Sequence, residues 1–178
     1  MLYYLHGYES SPNGSKGVLF KKYLNANAIK YRDCEPKDII ISNCIKCIDN
    51  TIKNDKKVIL IGSSFGGFLA AKISLENQNI KQIILLNPAV IPPNIDISKI
   101  KDMPSRILKE MVDNRLFQEK INKKINIISG INDEIVPPRW VIEFAMFQEA
   151  EIKFLNDDHR LTNYIDRLPN IIDKILID

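Results

Sequence analysis

The stretch Val58-Ile59-Leu60-Ile61-Gly62-Ser63-Ser64-Phe65-Gly66-Gly67 constrains this chain more than any other. Its four consecutive aliphatic residues describe a strand buried on both faces. Phe68, Leu69, Ala71 and Leu75 then recur at helical spacing, so a helix starts as soon as the strand ends. The link between them reads G-x-S-x-G. A strand that turns straight into a helix presses two backbones together, and glycine at 62 and 66 keeps side chains out of that contact. Ser64 is left at the strained apex with its hydroxyl directed off the sheet. The N–H of Phe65 opens the helix, where unpaired donors and the helix dipole favour negative charge. Nucleotide binding does not fit, because the glycines do not spell G-x-G-x-x-G and no Walker lysine follows.

Short apolar runs alternate with helical patterns along the rest of the chain. Strands are expected at Leu2 to Leu5, Ile29 to Arg32, Val58 to Ile61, Gln82 to Leu86, Ile125 to Ser129 and Ile152 to Leu155. Helices are expected at Gly17 to Leu24, Asp38 to Lys53, Ser64 to Glu76, Ser98 to Phe117, Pro138 to Phe147 and Pro169 to Leu176. Such alternation predicts an α/β fold, a mostly parallel six-stranded sheet with helices on both faces. The 178 residues suffice for one core, so residues 1–178 are read as a single domain. Pro88 to Asn94 is proline-rich, and Ile97, Ile100, Ile107, Leu108, Met111 and Val112 follow at helical intervals. Two readings stay open there: a long connection with an ordinary surface helix, or a small cap formed by segment 88–120.

A serine needs a base to act as a nucleophile near neutral pH. The chain has two histidines, His6 and His159. His159 lies just past the last apolar run. A G-x-S-x-G elbow goes with the order serine, acid, histidine, which puts the histidine in the final strand-to-helix loop. The acid should then follow a strand between Ser64 and His159. Ile125 to Ser129 is such a strand, and Asp133 on the loop after it is the choice, with Glu134, Asp157 and Asp158 as neighbouring carboxylates. Asp133 would accept from the far nitrogen of His159 and fix its tautomer. The first strand ends in His6-Gly7-Tyr8, and its loop supplies the second oxyanion donor, read as the Tyr8 N–H beside that of Phe65. His6 is assigned to holding that loop in shape.

Composition removes several function classes. Net charge is +3, and Lys21-Lys22, Lys56-Lys57 and Lys123-Lys124 stand apart with no interleaved aromatics, so nucleic acid is not an expected partner. Met1 to Leu5 is too short for a signal segment, and the apolar runs are strand-sized. A cytoplasmic protein without membrane association is expected. Cys44-Ile45-Lys46-Cys47 spells C-x-x-C, but inside a predicted helix rather than at its start, and no second pair of ligands accompanies it. Neither a metal nor another cofactor is expected.

With these residues in place, the chain resembles the YqiA-like esterases, a family of small α/β-hydrolases. The likeness rests on Tyr4-Leu5-His6-Gly7 with Ser10-Ser11-Pro12 and Ser15-Lys16, on Gly62 to Gly67, on Asn87-Pro88-Ala89-Val90, on Asp133-Glu134 and on His159. It implies a compact α/β-hydrolase fold and a serine esterase acting on short acyl esters through Ser64, Asp133 and His159. Hydrolysis of acyl-CoA thioesters on the same residues is the alternative it carries. A binding protein on this fold without turnover is the rival from another class. The family usually places an aromatic residue soon after its histidine. Here Arg160-Leu161 follows, a departure that bears on substrate preference.

Overall fold

The computed structural model describes residues 1–177. Within them the alternation resolves into β1 (Leu2–Leu5), α1 (Ser15–Leu24), β2 (Asn27–Ala28), α2 (Ile41–Ile52), β3 (Val58–Ser63), α3 (Phe65–Ser74), β4 (Ile80–Leu86), α4 (Ser105–Met111), β5 (Lys124–Gly130), α5 (Pro138–Gln148), β6 (Glu151–Leu155) and α6 (Leu168–Asp173). The strands form one sheet in the order β2-β1-β3-β4-β5-β6, every neighbouring pair parallel. From β1 the chain moves outward to β2, then returns past β1 to β3. The loops leaving β1 and β3 therefore diverge, and a crevice opens at the carboxyl ends of these two strands. The His6-Gly7-Tyr8 loop and Ser64 both stand at that point.

Strand side chains alternate between two cores, as the pleat requires. Tyr3, Leu5, Val58, Leu60, Ile83, Leu85, Ile125 and Ile127 face one way, against α2, α3, α4 and α5. Tyr4, Ile59, Ile61, Ile84, Leu86 and Ile128 face the other, against Phe20 of α1 and Leu168 and Ile172 of α6. Burial on both sides is why Val58 to Ile61 of β3 and Ile83 to Leu86 of β4 read as unbroken aliphatic runs. Cys44 and Cys47 lie on α2, and all three thiols are free.

Three expected elements come out differently. The strand expected at Ile29 to Arg32 is instead a two-residue ladder at Asn27–Ala28, extended by one bond from the Ile29 N–H to the Tyr4 carbonyl (2.9 Å). Ile29 and Tyr31 are buried by packing into the core and against the loop after β1, so their alternation reports burial rather than strand pairing. Helix α2 begins at Ile41, because Pro36–Asp38 forms a separate single turn. The single helix expected over Ser98 to Phe117 is broken into a turn at Ile97–Lys99, α4, and a turn at Asn114–Phe117. Its apolar spacing was real, since Ile107, Leu108 and Met111 are buried. Pro104 stops any helix from running through, and the carboxylates of Asp96 and Asp113 accept from the Ser98 and Arg115 N–H groups to start separate turns. This segment is also fastened to α3. Lys72 ion-pairs with Asp113, and Arg115 bridges Asp113 (3.0 Å) and Glu76 (2.7 Å). Burial opposes the charge on Asp113, but hydrogen bonds from Arg115 and Lys72 outweigh it and hold that carboxyl down at about 2.

No helix among the described residues is long and apolar enough to cross a membrane.

Candidate active site

The elbow is built by close approach. A Cβ on Gly62 would lie 2.4 Å from the Gly66 carbonyl oxygen, and one on Gly66 would lie 2.2 Å from the oxygen of Leu5. Only glycine lets α3 sit so tightly on the ends of β1 and β3. Ser64 between them has φ 53° and ψ −117°, a backbone shape that a residue with a side chain rarely adopts. Neighbours hold it there. Its N–H donates to the Leu86 carbonyl (2.9 Å), and its own carbonyl accepts from the N–H groups of Gly67 (2.8 Å), Phe68 (3.1 Å) and Ala89 (3.0 Å). Such strain persists only where the surroundings over-determine it.

Three sequence-distant side chains meet here. His159 Nε2 lies 3.0 Å from Ser64 Oγ, and His159 Nδ1 lies 2.9 and 2.8 Å from the two carboxylate oxygens of Asp133. The Asp133 side chain is shut off from solvent. Its Oδ1 also accepts from the N–H groups of Ile135 (2.9 Å) and Val136 (2.8 Å), which supports the charge. A carboxylate can only accept, so Nδ1 must carry the hydrogen, and the lone pair of Nε2 faces the serine hydroxyl. The other carboxylates in the neighbourhood are occupied elsewhere. Asp157 accepts from the N–H groups of Asp158, Asn163 and Tyr164, Asp158 caps Thr162, and Glu134 accepts from the His159 backbone N–H (3.3 Å).

The Phe65 and Tyr8 amides donate to no protein acceptor among the described residues. Phe65 N–H opens α3, and the Tyr8 ring packs edge-on against the Phe65 ring at 6.1 Å. The loop carrying Tyr8 is fixed through its carbonyls. Tyr31 Oη–H donates to His6 O (2.9 Å), His6 Nδ1 donates to Gly7 O (2.8 Å), and Arg32 donates to Tyr8 O (2.8 Å) and Ser10 O (3.1 Å). With its acceptors taken, the loop keeps the Tyr8 N–H free. Tyr31 and Arg32 were not read from sequence as site residues. The carbonyls they hold in this loop lie more than twenty positions away, which leaves no local pattern. A Cβ on Gly7 would stand 3.6 Å from Ser64 Cβ, ordinary contact, so that glycine keeps space beside the serine rather than relieving a clash.

His6 is buried and stacked on Tyr31 at 4.3 Å, and burial pushes its pKa down to about 4. The folded ring stays neutral where an unfolded chain would take up a proton. Stability should therefore be complete above pH 6.5, fall as the pH drops from about 6.5 toward 4, and level off below that. The expected loss is roughly 2 kcal/mol, reduced from the full displacement because the loop lies near solvent. Urea melts at pH 7.5 and 4.5 check this. The shift in midpoint should shrink in His6→Gln, and an equal shift in both proteins would refute the assignment.

A model of the group described as "Uncharacterised protein family (UPF0227)" matches residues 1–175. No curated protein matches the sequence. Among solved structures, Est1E from Butyrivibrio proteoclasticus, described with ferulic acid bound, superposes with a TM-score of 0.79 at 16% identity, covering 97% of this chain and 86% of that one. A monoacylglycerol lipase from Paleococcus ferrophilus gives 0.73 at 14% identity, with 97% and 92% covered. Mouse alpha/beta hydrolase domain-containing protein 10 gives 0.68 at 16% identity, with 98% and 90% covered. The sheet order and these matches make the fold that of an α/β-hydrolase.

Proposed function

The chain belongs to the UPF0227 family, and from that premise and the Ser64–His159–Asp133 contacts we propose that it is a serine hydrolase cleaving short acyl esters through an acyl-enzyme. The observation that carries the proposal is the 3.0 Å contact between His159 Nε2 and Ser64 Oγ, backed by a buried carboxylate on Nδ1. As Ser64 Oγ bonds to the ester carbonyl carbon, His159 Nε2 takes its proton and Asp133 stabilises the resulting imidazolium. The carbonyl oxygen becomes an oxyanion facing the Phe65 and Tyr8 N–H groups, each worth about 3 kcal/mol in the transition state. The carbon–oxygen bond to the alcohol then breaks, and His159 returns the proton to the departing oxygen. Water repeats the sequence on the acyl-enzyme and frees the acid. An open groove of about 740 Å³ lies on the far side of Tyr8, walled by Ile100, Met103 and Pro104 and by the charged side chains of Glu9, Glu35, Lys37, Lys101 and Asp102. The fold neighbours described as a lipase-esterase related protein and a monoacylglycerol lipase agree with ester chemistry.

A fluorophosphonate probe followed by peptide mapping tests the proposal. The expected adduct lies on Ser64. A folded protein that takes no label would instead be a binding module. Parallel turnover of p-nitrophenyl butyrate and butyryl-CoA distinguishes an esterase from a thioesterase acting through the same serine.

A further inference from the structure

Asn87 follows β4, far in sequence from all the residues of the proposed chemistry. Its backbone is left-handed, with φ 43°, a conformation asparagine tolerates better than most residues. Its side chain is buried and all four of its hydrogen-bonding positions are used. The oxygen accepts from Ser129 Oγ–H (2.9 Å) and the Gly130 N–H (2.8 Å), at the end of β5 where the loop to Asp133 begins. The amide nitrogen donates to the carbonyls of Asp158 (3.2 Å) and His159 (2.8 Å). One side chain thus ties the root of the acid-bearing loop to the backbone of the base itself.

The surroundings make this tie decisive. The carbonyls of Leu155 and Asp157 are held by the N–H groups of Ile131 (2.9 Å) and Asn132 (3.0 Å), and that of Arg160 by Lys16 Nζ (2.6 Å). Between them, the Asp158 carbonyl accepts from the Leu161 N–H (3.2 Å) as well as from Asn87, and among the described residues the His159 carbonyl is held by Asn87 alone. A Cβ on Gly130 would come within 2.5 Å of the Asp157 oxygen, so the end of β5 already presses on this loop. We infer that Asn87 is the positioning residue that sets the distance between the His159 ring and both Asp133 and Ser64. The inference rests on the hydrolase reading for its kinetic consequence, but not for its structural one.

Asn87→Asp is the test. Aspartate has the same shape, tolerates the left-handed backbone and still accepts from Ser129 and Gly130. Its second oxygen, however, would face two carbonyl oxygens and push the His159 loop away. The His159 Nδ1–H proton, hydrogen-bonded to Asp133, should give a low-field proton resonance, assigned by its loss in His159→Gln. In N87D that resonance should disappear or move, while kcat for p-nitrophenyl butyrate falls about 100-fold with KM within about threefold, the pattern of a misplaced catalytic group. A folded N87D with an unchanged resonance and wild-type kcat overturns the inference. If N87D does not fold, Asn87→Ser carries the same two readouts. A wild-type protein that neither turns over esters nor takes the probe, yet whose resonance responds to N87D, would remove the hydrolase reading and leave the positioning role standing.

Discussion

Ser64→Ala should reduce p-nitrophenyl butyrate hydrolysis by about 10⁵- to 10⁶-fold, because no acyl-enzyme can form without Oγ. The protein should remain folded. Among the described residues the hydroxyl hydrogen-bonds only to the His159 ring, and the backbone bonds that lock residue 64 do not involve its side chain. Ser64→Gly should be equally inactive yet more stable, by about 1 kcal/mol, since glycine adopts φ 53° without strain. Lost chemistry is thereby separated from lost structure: one variant melts like the wild type, the other above it, and neither turns over. Ser63→Ala should be far milder, because Ser63 ends β3 inside the sheet and the hydroxyl at His159 Nε2 is that of Ser64. More than about 1% of the wild-type rate in Ser64→Ala would place the nucleophile elsewhere.

The elbow is legible in the sequence because sterics force it. Where a strand and a helix touch, glycine is required at Gly62 and Gly66, and Ser64 is left at the apex of the turn between them. Asp133 and His159 are legible for a related reason. Each follows an apolar run by a few residues, and parallel strands deliver their next loops to one edge of the sheet. The polar residues that hold those loops are another matter. Asn87, Tyr31 and Arg32 bond to carbonyls, and a carbonyl is the same at every residue, so sequence carries no sign of which one a side chain will reach. Asn87-Pro88-Ala89-Val90 carries a family likeness, but nothing in it says what the asparagine side chain holds. The same limit explains segment 97–117, where apolar spacing identified the buried residues Ile107, Leu108 and Met111 but could not show that Pro104, Asp96 and Asp113 divide the backbone into separate pieces.

Asp133→Asn is expected to cost about 10⁴-fold in kcat with the fold intact, and the reason lies in two backbone amides. Asp133 Oδ1 accepts from the N–H groups of Ile135 and Val136, at 2.9 and 2.8 Å, inside a side-chain environment closed to solvent. An asparagine here has one acceptor and one donor to place. Turning its NH₂ toward those amides would leave three buried donors facing one another, so its oxygen must stay on them. The NH₂ group then faces His159 Nδ1, which has to become an acceptor. The ring hydrogen moves to Nε2, and the nitrogen 3.0 Å from Ser64 Oγ can no longer take the serine proton. Glu134 offers no rescue, because its carboxylate is engaged by the His159 backbone N–H, and Glu134→Gln should change kcat by only a few-fold. Nitrogen-15 spectra of the imidazole would report the tautomer directly, with Nδ1 protonated in the wild type and Nε2 protonated in D133N. A D133N protein that keeps the wild-type tautomer and more than a tenth of the wild-type rate would mean that this carboxylate orients nothing.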